Sequence, residues 1–221
     1  MIARWIAIIG AVSTLSAAGG VTGAKQAHQP ATVQSLSANI PQNVKQAILD
    51  SLKASDRPTT DDKQGGFHEE GGIFVTTTNG DVVAEPAVPG KYAKRGDAAH
   101  VQVNELANPL PAARIAAVDG MWHVHPGGEI VDRRVLPARE EGDRKITTVI
   151  TTTWYFGQSP SEGDITAAEL PINIAIGARS KLVYFYNRSG IIGTMPLEEF
   201  LAPLQLPPAA PAASLSRKIL Q

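Results

Sequence analysis

The segment Gly120-Met121-Trp122-His123-Val124-His125-Pro126 constrains this chain more than any other. Read as a strand, it alternates its side chains between two faces, so His123 and His125 share one face while Trp122 and Val124 share the other. Pro126 has no amide hydrogen to give to a ladder and is followed by Gly127-Gly128, so the strand ends at His125. The histidine face presents two imidazoles side by side, where together they can grip one metal ion. Neutral imidazole is the commonest protein ligand for zinc, and a catalytic zinc usually takes three protein ligands and a water. The chain has no cysteine, which removes disulfides, thiolate zinc sites and a thiol nucleophile at once, so any metal must be held by His, Asp or Glu. Asp164, in Ser159-Pro160-Ser161-Glu162-Gly163-Asp164-Ile165, can supply the third ligand if the fold brings it to the histidines.

The 221 residues, 43% of them hydrophobic, suffice for one medium domain with a substantial core plus extensions. With 20 basic and 21 acidic residues and a formal net charge of −1, the chain shows no electrostatic footprint for nucleic acid or anionic lipid, so no nucleic-acid partner is expected. Arg4 precedes a short apolar run that gives way to small residues through Ala24, the layout of a secretory signal peptide over residues 1–24. The run is too short and too interrupted by Gly and Ser for a transmembrane helix, so no stable membrane span is expected after cleavage behind Ala18 or Ala24. The expected destination is therefore export, either to a periplasm or outside the cell. Residues 25–40 read as a polar linker, 41–202 as the domain, and the Pro/Ala-rich residues 203–221 as a disordered tail.

Within the domain, Val44, Ile48, Leu49 and Leu52 recur at helical intervals and predict an amphipathic helix over residues 43–52. Gly72 to Thr78 is β-branched and aromatic, Asn79-Gly80 is a strong hairpin signal, and Asp81 to Ala84 is the return strand. Residues 57–66 and 87–97 read as loops, and Pro111 to Val118 as helical or turn-like. Ile130 to Leu136 and Ile146 to Phe156 predict a hairpin inserted over residues 129–156, with the charged run Arg139 to Lys145 as its solvated turn. Ser161 is expected to cap a helix with Asp164 at its third position. Ile172 to Ile176, Leu182 to Tyr186 and Ile191 to Thr194 are further strands, and Leu197 to Leu201 is a short helix. The expected class is α/β (α+β): a mixed sheet flanked by helices, with an inserted hairpin.

A hydrolytic zinc site also needs a base that is not itself a ligand. Glu69 and Glu70, in His68-Glu69-Glu70-Gly71-Gly72-Ile73-Phe74, stand at the mouth of a strand whose glycines allow close backbone approach. The order Glu, then His-x-His-Pro, then Ser-x-x-Asp resembles the JAMM (MPN-plus, JAB-like) zinc metalloprotease family, and most of all its bacterial exported branch. The likeness covers roughly Phe67 to Thr194. It implies that His123, His125 and Asp164 bind Zn²⁺, that Glu69 rather than Glu70 takes a proton from the water, and that Ser161 helps to stabilise the oxyanion. It also implies a JAB/MPN-like sheet and a peptide or protein substrate cut at a peptide or isopeptide bond. In the family the Ser-x-x-Asp lies much closer behind the histidines; here residues 129–156 intervene, a departure that bears on the usual ubiquitin-like isopeptide substrate.

Two other readings compete. His123-x-His125-x-x-x-Glu129 also fits a cupin-type metal motif, although no histidine follows His125 and Leu136 stands where the closing glycine belongs. A JAB-like fold without peptidase activity, serving as an exported binding module, is preferred if Glu69 points away from the histidines or the hairpin plugs the open position. His68, His100, Trp122 and Trp154 read as core or surface residues. Neither the substrate nor the oligomeric state is written in a readable motif.

Overall fold

The computed structural model describes residues 32–141 and 144–205. The expected signal peptide at 1–24, the first part of the linker and most of the expected tail lie outside these residues. In chain order the elements are α1 (Val33–Ala38), α2 (Gln42–Ser55), β1 (Glu70–Thr77), β2 (Val82–Pro86), β3 (Ile115–His125), β4 (Glu129–Val135), β5 (Arg139–Glu141), β6 (Arg144–Ile146), β7 (Val149–Tyr155), α3 (Glu162–Ala167), β8 (Ile172–Gly177), β9 (Leu182–Asn187), β10 (Gly190–Pro196) and α4 (Leu197–Gln205). Six strands form one mixed sheet in the order β10-β9-β8-β3-β1-β2, antiparallel throughout except for the parallel pair β3 and β8. The class is mixed α+β.

Strand alternation explains where the core sits. Trp122 and Val124 of β3, Ile174 and Ile176 of β8, and Val183 and Phe185 of β9 all project to one face. There they meet Val44, Ile48 and Leu52 of α2 and Phe200 and Leu201 of α4. Each such fully buried aliphatic side chain contributes about 1.5–3 kcal/mol by leaving water. The one polar group of Trp122 is matched, because its indole N–H donates to Ser51 Oγ at 3.1 Å. Gly120 is required opposite Phe74, since a Cβ there would lie 2.3 Å from the phenyl ring.

The Asn79-Gly80 turn joins β1 to β2, with Gly80 at φ 89°, a left-handed conformation that glycine adopts freely. The inserted hairpin also forms: β4 pairs with β7 as a ribbon separate from the main sheet. Most of the ribbon is exposed; its base packs through Trp154 and Phe156 against Phe67, and Asp132 of β4 pairs with Arg95.

Four segments depart from expectation. The stretch read as linker contains α1, which Thr32 caps by accepting from the Ser35 amide and which packs Val33 and Leu36 against the core. Pro111 to Val118 is turn-like only in its first half: the 3-10 turn at Ala112–Arg114 leads directly into β3, whose Ile115 pairs with Thr77 of β1. The charged run after Leu136 is not one solvated turn; it pairs with itself as β5 and β6. Helix α4 continues to Gln205, so the first residues of the expected tail are helical. No helix among the described residues is long and apolar enough to cross a membrane.

Candidate metal centre

His123 and His125 project from the sheet face opposite α2, and the strands beside them are built from small residues. Gly71 of β1 and Ala175 of β8 flank His123, and Gly177 flanks His125. A side chain at Gly71 would place its Cβ 2.6 Å from the Trp122 carbonyl oxygen and 3.2 Å from His123 Cα, so glycine allows β1 to close on the histidine strand. The two Nε2 atoms face one another at 3.0 Å. Asp164 arrives from the far side of the inserted hairpin as the third residue of α3. Its Oδ2 accepts from the Ser161 amide at 2.7 Å and from the Ser161 hydroxyl at 2.8 Å, while its own amide donates to Ser161 Oγ at 3.1 Å. This capping box turns Asp164 inward. Its Oδ1 lies 3.6 Å from His123 Nε2, and its Oδ2 lies 3.8 Å from His125 Nε2.

The three ligand atoms lie within 4.8 Å of one another, as a shared ion requires. A tetrahedral ion with bonds of about 2.0–2.2 Å holds its donor atoms about 3.3–3.6 Å apart. The observed spacings of 3.0, 3.6 and 3.8 Å lie within a few tenths of an ångström of that demand on either side, and the donor set of two imidazoles and a carboxylate suits zinc. The residues present therefore fit such an ion.

Glu69 and Glu70 are separated by the pleat. Glu69 lies just before β1 on the histidine face, buried, with Oε1 3.6 Å from His125 Nδ1. Glu70 turns to the α2 face, where its Oε1 lies 3.2 Å from His68 Nε2. Burial pushes the Glu69 carboxyl up to about 7, against the pull of the His123 charge and with the help of the Asp164 charge. Burial also opposes ionisation of Asp164, but the charge of His123, 3.6 Å away, and the Ser161 donors hold it well below the usual carboxylate range. His125 is pushed down to about 4 by burial and by the neighbouring His123 charge. His123 is raised: burial disfavours its cation, but Asp164 and Glu69 outweigh that. The two carboxylates thus favour the cationic form of His123, while His125 is kept neutral.

A cavity of about 300 Å³ opens beside this cluster, lined by Glu69, His125 and Asp164 on one side and by Trp154 and Phe156 on another. Residues 97–99 complete the wall. The hairpin therefore borders the site without filling it. Glu129, the acidic member of the cupin-type motif, is remote from the ligand group and pairs with Arg179 at 3.3 Å. The main sheet is open rather than a closed barrel, because β2 and β10 are its two edges.

Two groups were given no part in the site by the sequence, although His68 was read as a core or surface residue. His68 is fully buried between Asp62, 2.7 Å from Nδ1, and Glu70, 3.2 Å from Nε2. Asp62 also accepts from the Gly65 and Phe67 amides at 2.9 and 2.8 Å, so it folds the loop that delivers Glu69. The second is Tyr186, whose ring stands edge-on to His123 at 6.1 Å. A spacing of two is the signal that could have flagged them, pairing His68 with Glu70 at the entry to β1 and Tyr184 with Tyr186 along β9. Comparison of the chain with known protein families, with curated proteins and with solved structures finds no match in any of the three.

Proposed function

We propose that the protein is an exported, zinc-dependent hydrolase of the JAMM type that cleaves a peptide or isopeptide bond. What carries the reading is the convergence of Glu69, His123, His125 and Asp164 from three separate stretches of chain, three of them, Glu69, His125 and Asp164, lining one cavity. The two imidazoles and Asp164 would hold the zinc, which when bound would supply a Lewis acid to lower the pKa of a water toward neutrality and polarise the scissile carbonyl. Glu69 is the base. It is buried on the histidine face at the mouth of the cavity, and in the metal-free protein that burial raises its carboxyl. The cavity wall of Trp154, Phe156 and residues 97–99 binds the peptide or protein substrate. Ser161 holds Asp164 in place, and its hydroxyl must leave the carboxylate before it can serve an oxyanion. Export rests on the first 24 residues of the sequence.

One observation favours a second reading. Glu69 approaches the Nδ1 side of His125, the position of an outer partner that orients a metal-binding imidazole. In that case the domain is a metal-holding binding module without a base. The deciding experiment measures zinc content and hydrolysis of a quenched fluorescent peptide library by the wild type, Glu69→Gln, and His123→Ala/His125→Ala. The hydrolase reading expects Glu69→Gln to keep its zinc and lose turnover, and the double variant to lose both. Undiminished zinc in the double variant sinks the site, and undiminished turnover in Glu69→Gln sinks the base.

A further inference from the structure

The hydroxyl of Tyr186 is buried and has no hydrogen-bond partner. Leaving such a group unpaired forfeits the hydrogen bond it makes to water, so its persistence calls for an acceptor that arrives with something else. Tyr186 stands on β9 beside Asn173 of β8, which in turn faces Met121, two residues before His123. Its ring edge meets His123. Asn173 Oδ1 also has no partner, yet it is not within hydrogen-bond distance of the phenol, and its amide is committed to the Leu170 and Tyr186 carbonyls. Tyr186 also packs in one apolar cluster with Ile165, the residue that follows Asp164, and with Ala168 behind it.

Asp164 is the acceptor with capacity to spare. Its Oδ2 takes both Ser161 donors, whereas Oδ1 has no donor within hydrogen-bond distance and only His123 at 3.6 Å. Carboxylates that bind metals are themselves held by outer hydrogen bonds, and losing one such partner weakens metal binding.

We propose that Tyr186 is a positioning residue for Asp164, donating its hydroxyl hydrogen to Oδ1 once the ion has drawn that carboxylate toward the two imidazoles. The role rests on the metal-site reading above. Ser161 then steadies one oxygen of the ligand and Tyr186 the other, so the side chain cannot rotate away from the ion.

The test is zinc affinity, measured by competition with a chromogenic chelator, for the wild type, Tyr186→Phe, Asp164→Ala and the Tyr186→Phe/Asp164→Ala double variant. Tyr186→Phe should bind zinc about 10–100-fold more weakly. Its metal-free melting temperature should match or exceed that of the wild type, because it loses an unpaired hydroxyl; a merely structural tyrosine would show the opposite. In the Asp164→Ala background the same change should cost little, since the partner is gone. Unchanged affinity in Tyr186→Phe overturns the proposal, as does an equal loss in both backgrounds. A tyrosinate ultraviolet difference band on zinc addition also overturns it, by making Tyr186 a ligand. If the wild type and His123→Ala/His125→Ala bind zinc alike, the metal site itself fails, and the proposal fails with it.

Discussion

Glu69 and Glu70 are consecutive in the chain and point to opposite faces of the sheet: Glu69 Oε1 lies 3.6 Å from His125 Nδ1, and Glu70 Oε1 lies 3.2 Å from His68 Nε2. Two identical side chains therefore have different work. Glu69→Gln should lower peptide hydrolysis by about 10²–10⁴-fold, the usual worth of a general base, while zinc stoichiometry is kept. Glu70→Gln should leave the reaction's pH profile in place and instead lower stability by about 1–3 kcal/mol, through loss of a charged partner to buried His68. Turnover and urea unfolding on the same two variants separate the roles.

The buried Glu69 carboxyl makes the metal-free protein sensitive to alkali. Its folded value of about 7 lies above the ordinary 4.5, so its stabilising contribution is complete below pH 4.5 and is lost as pH rises through 7. The full loss is about 3 kcal/mol. Glu69→Gln should flatten this decline and melt higher than the wild type at pH 8 in the presence of a chelator. The acid limb should survive in the variant. Asp164, held below its ordinary 3.8, contributes stability above that pH and loses it as pH falls toward its folded value.

Asp62 and His68 form the second buried charge pair, 2.7 Å apart. Asp62→Ala leaves an imidazolium without its closer partner and strips the loop amides of their acceptor, and should cost about 3–5 kcal/mol in urea unfolding at pH 6. His68 is raised above its ordinary 6.5: burial opposes the cation, but Glu70 and Asp62 outweigh it. Its contribution is therefore present below pH 6.5 and is lost as pH rises through the folded value, so the penalty of Asp62→Ala should shrink at pH 9.

The outer hairpin should be dispensable for folding, while its base should not. Val131, Val135, Ile146, Val149 and Ile150 are exposed, so joining Val131 to Thr153 through an Asn-Gly turn should change stability by less than about 1 kcal/mol and leave zinc binding intact. Phe156→Ala, by contrast, empties a buried position against Phe67 and Trp154 and should cost about 3–5 kcal/mol. Thermal melts with and without zinc check both.

Much of this was legible in the chain because it depends on short-range geometry. The period-two alternation of Trp122, His123, Val124 and His125 assigns faces without any tertiary information, and the Ser161 and Asp164 spacing specifies a capping box by itself. The Asn79-Gly80 hairpin is local for the same reason. The strand character of residues 115–118 was not legible, because β1 supplies its hydrogen bonds from about forty residues away in the chain. Nor was α1, whose few turns are held by packing against the core rather than by propensity.

For the site, the sequence by itself determined the residue types, their order and which of them share a strand face, since those follow from covalent spacing and the strand repeat. Only the tertiary structure decided that α3 returns Asp164 across the inserted hairpin to two imidazoles, that Glu69 rather than Glu70 lies on their face, and that Tyr186 stands beside them unpaired. Those outcomes depend on β8 running parallel beside β3 and on β1 closing against it at Gly71, contacts between segments far apart in sequence. Local preferences cannot encode such pairings, because their free energy comes from burying surfaces that meet only when the whole sheet has formed.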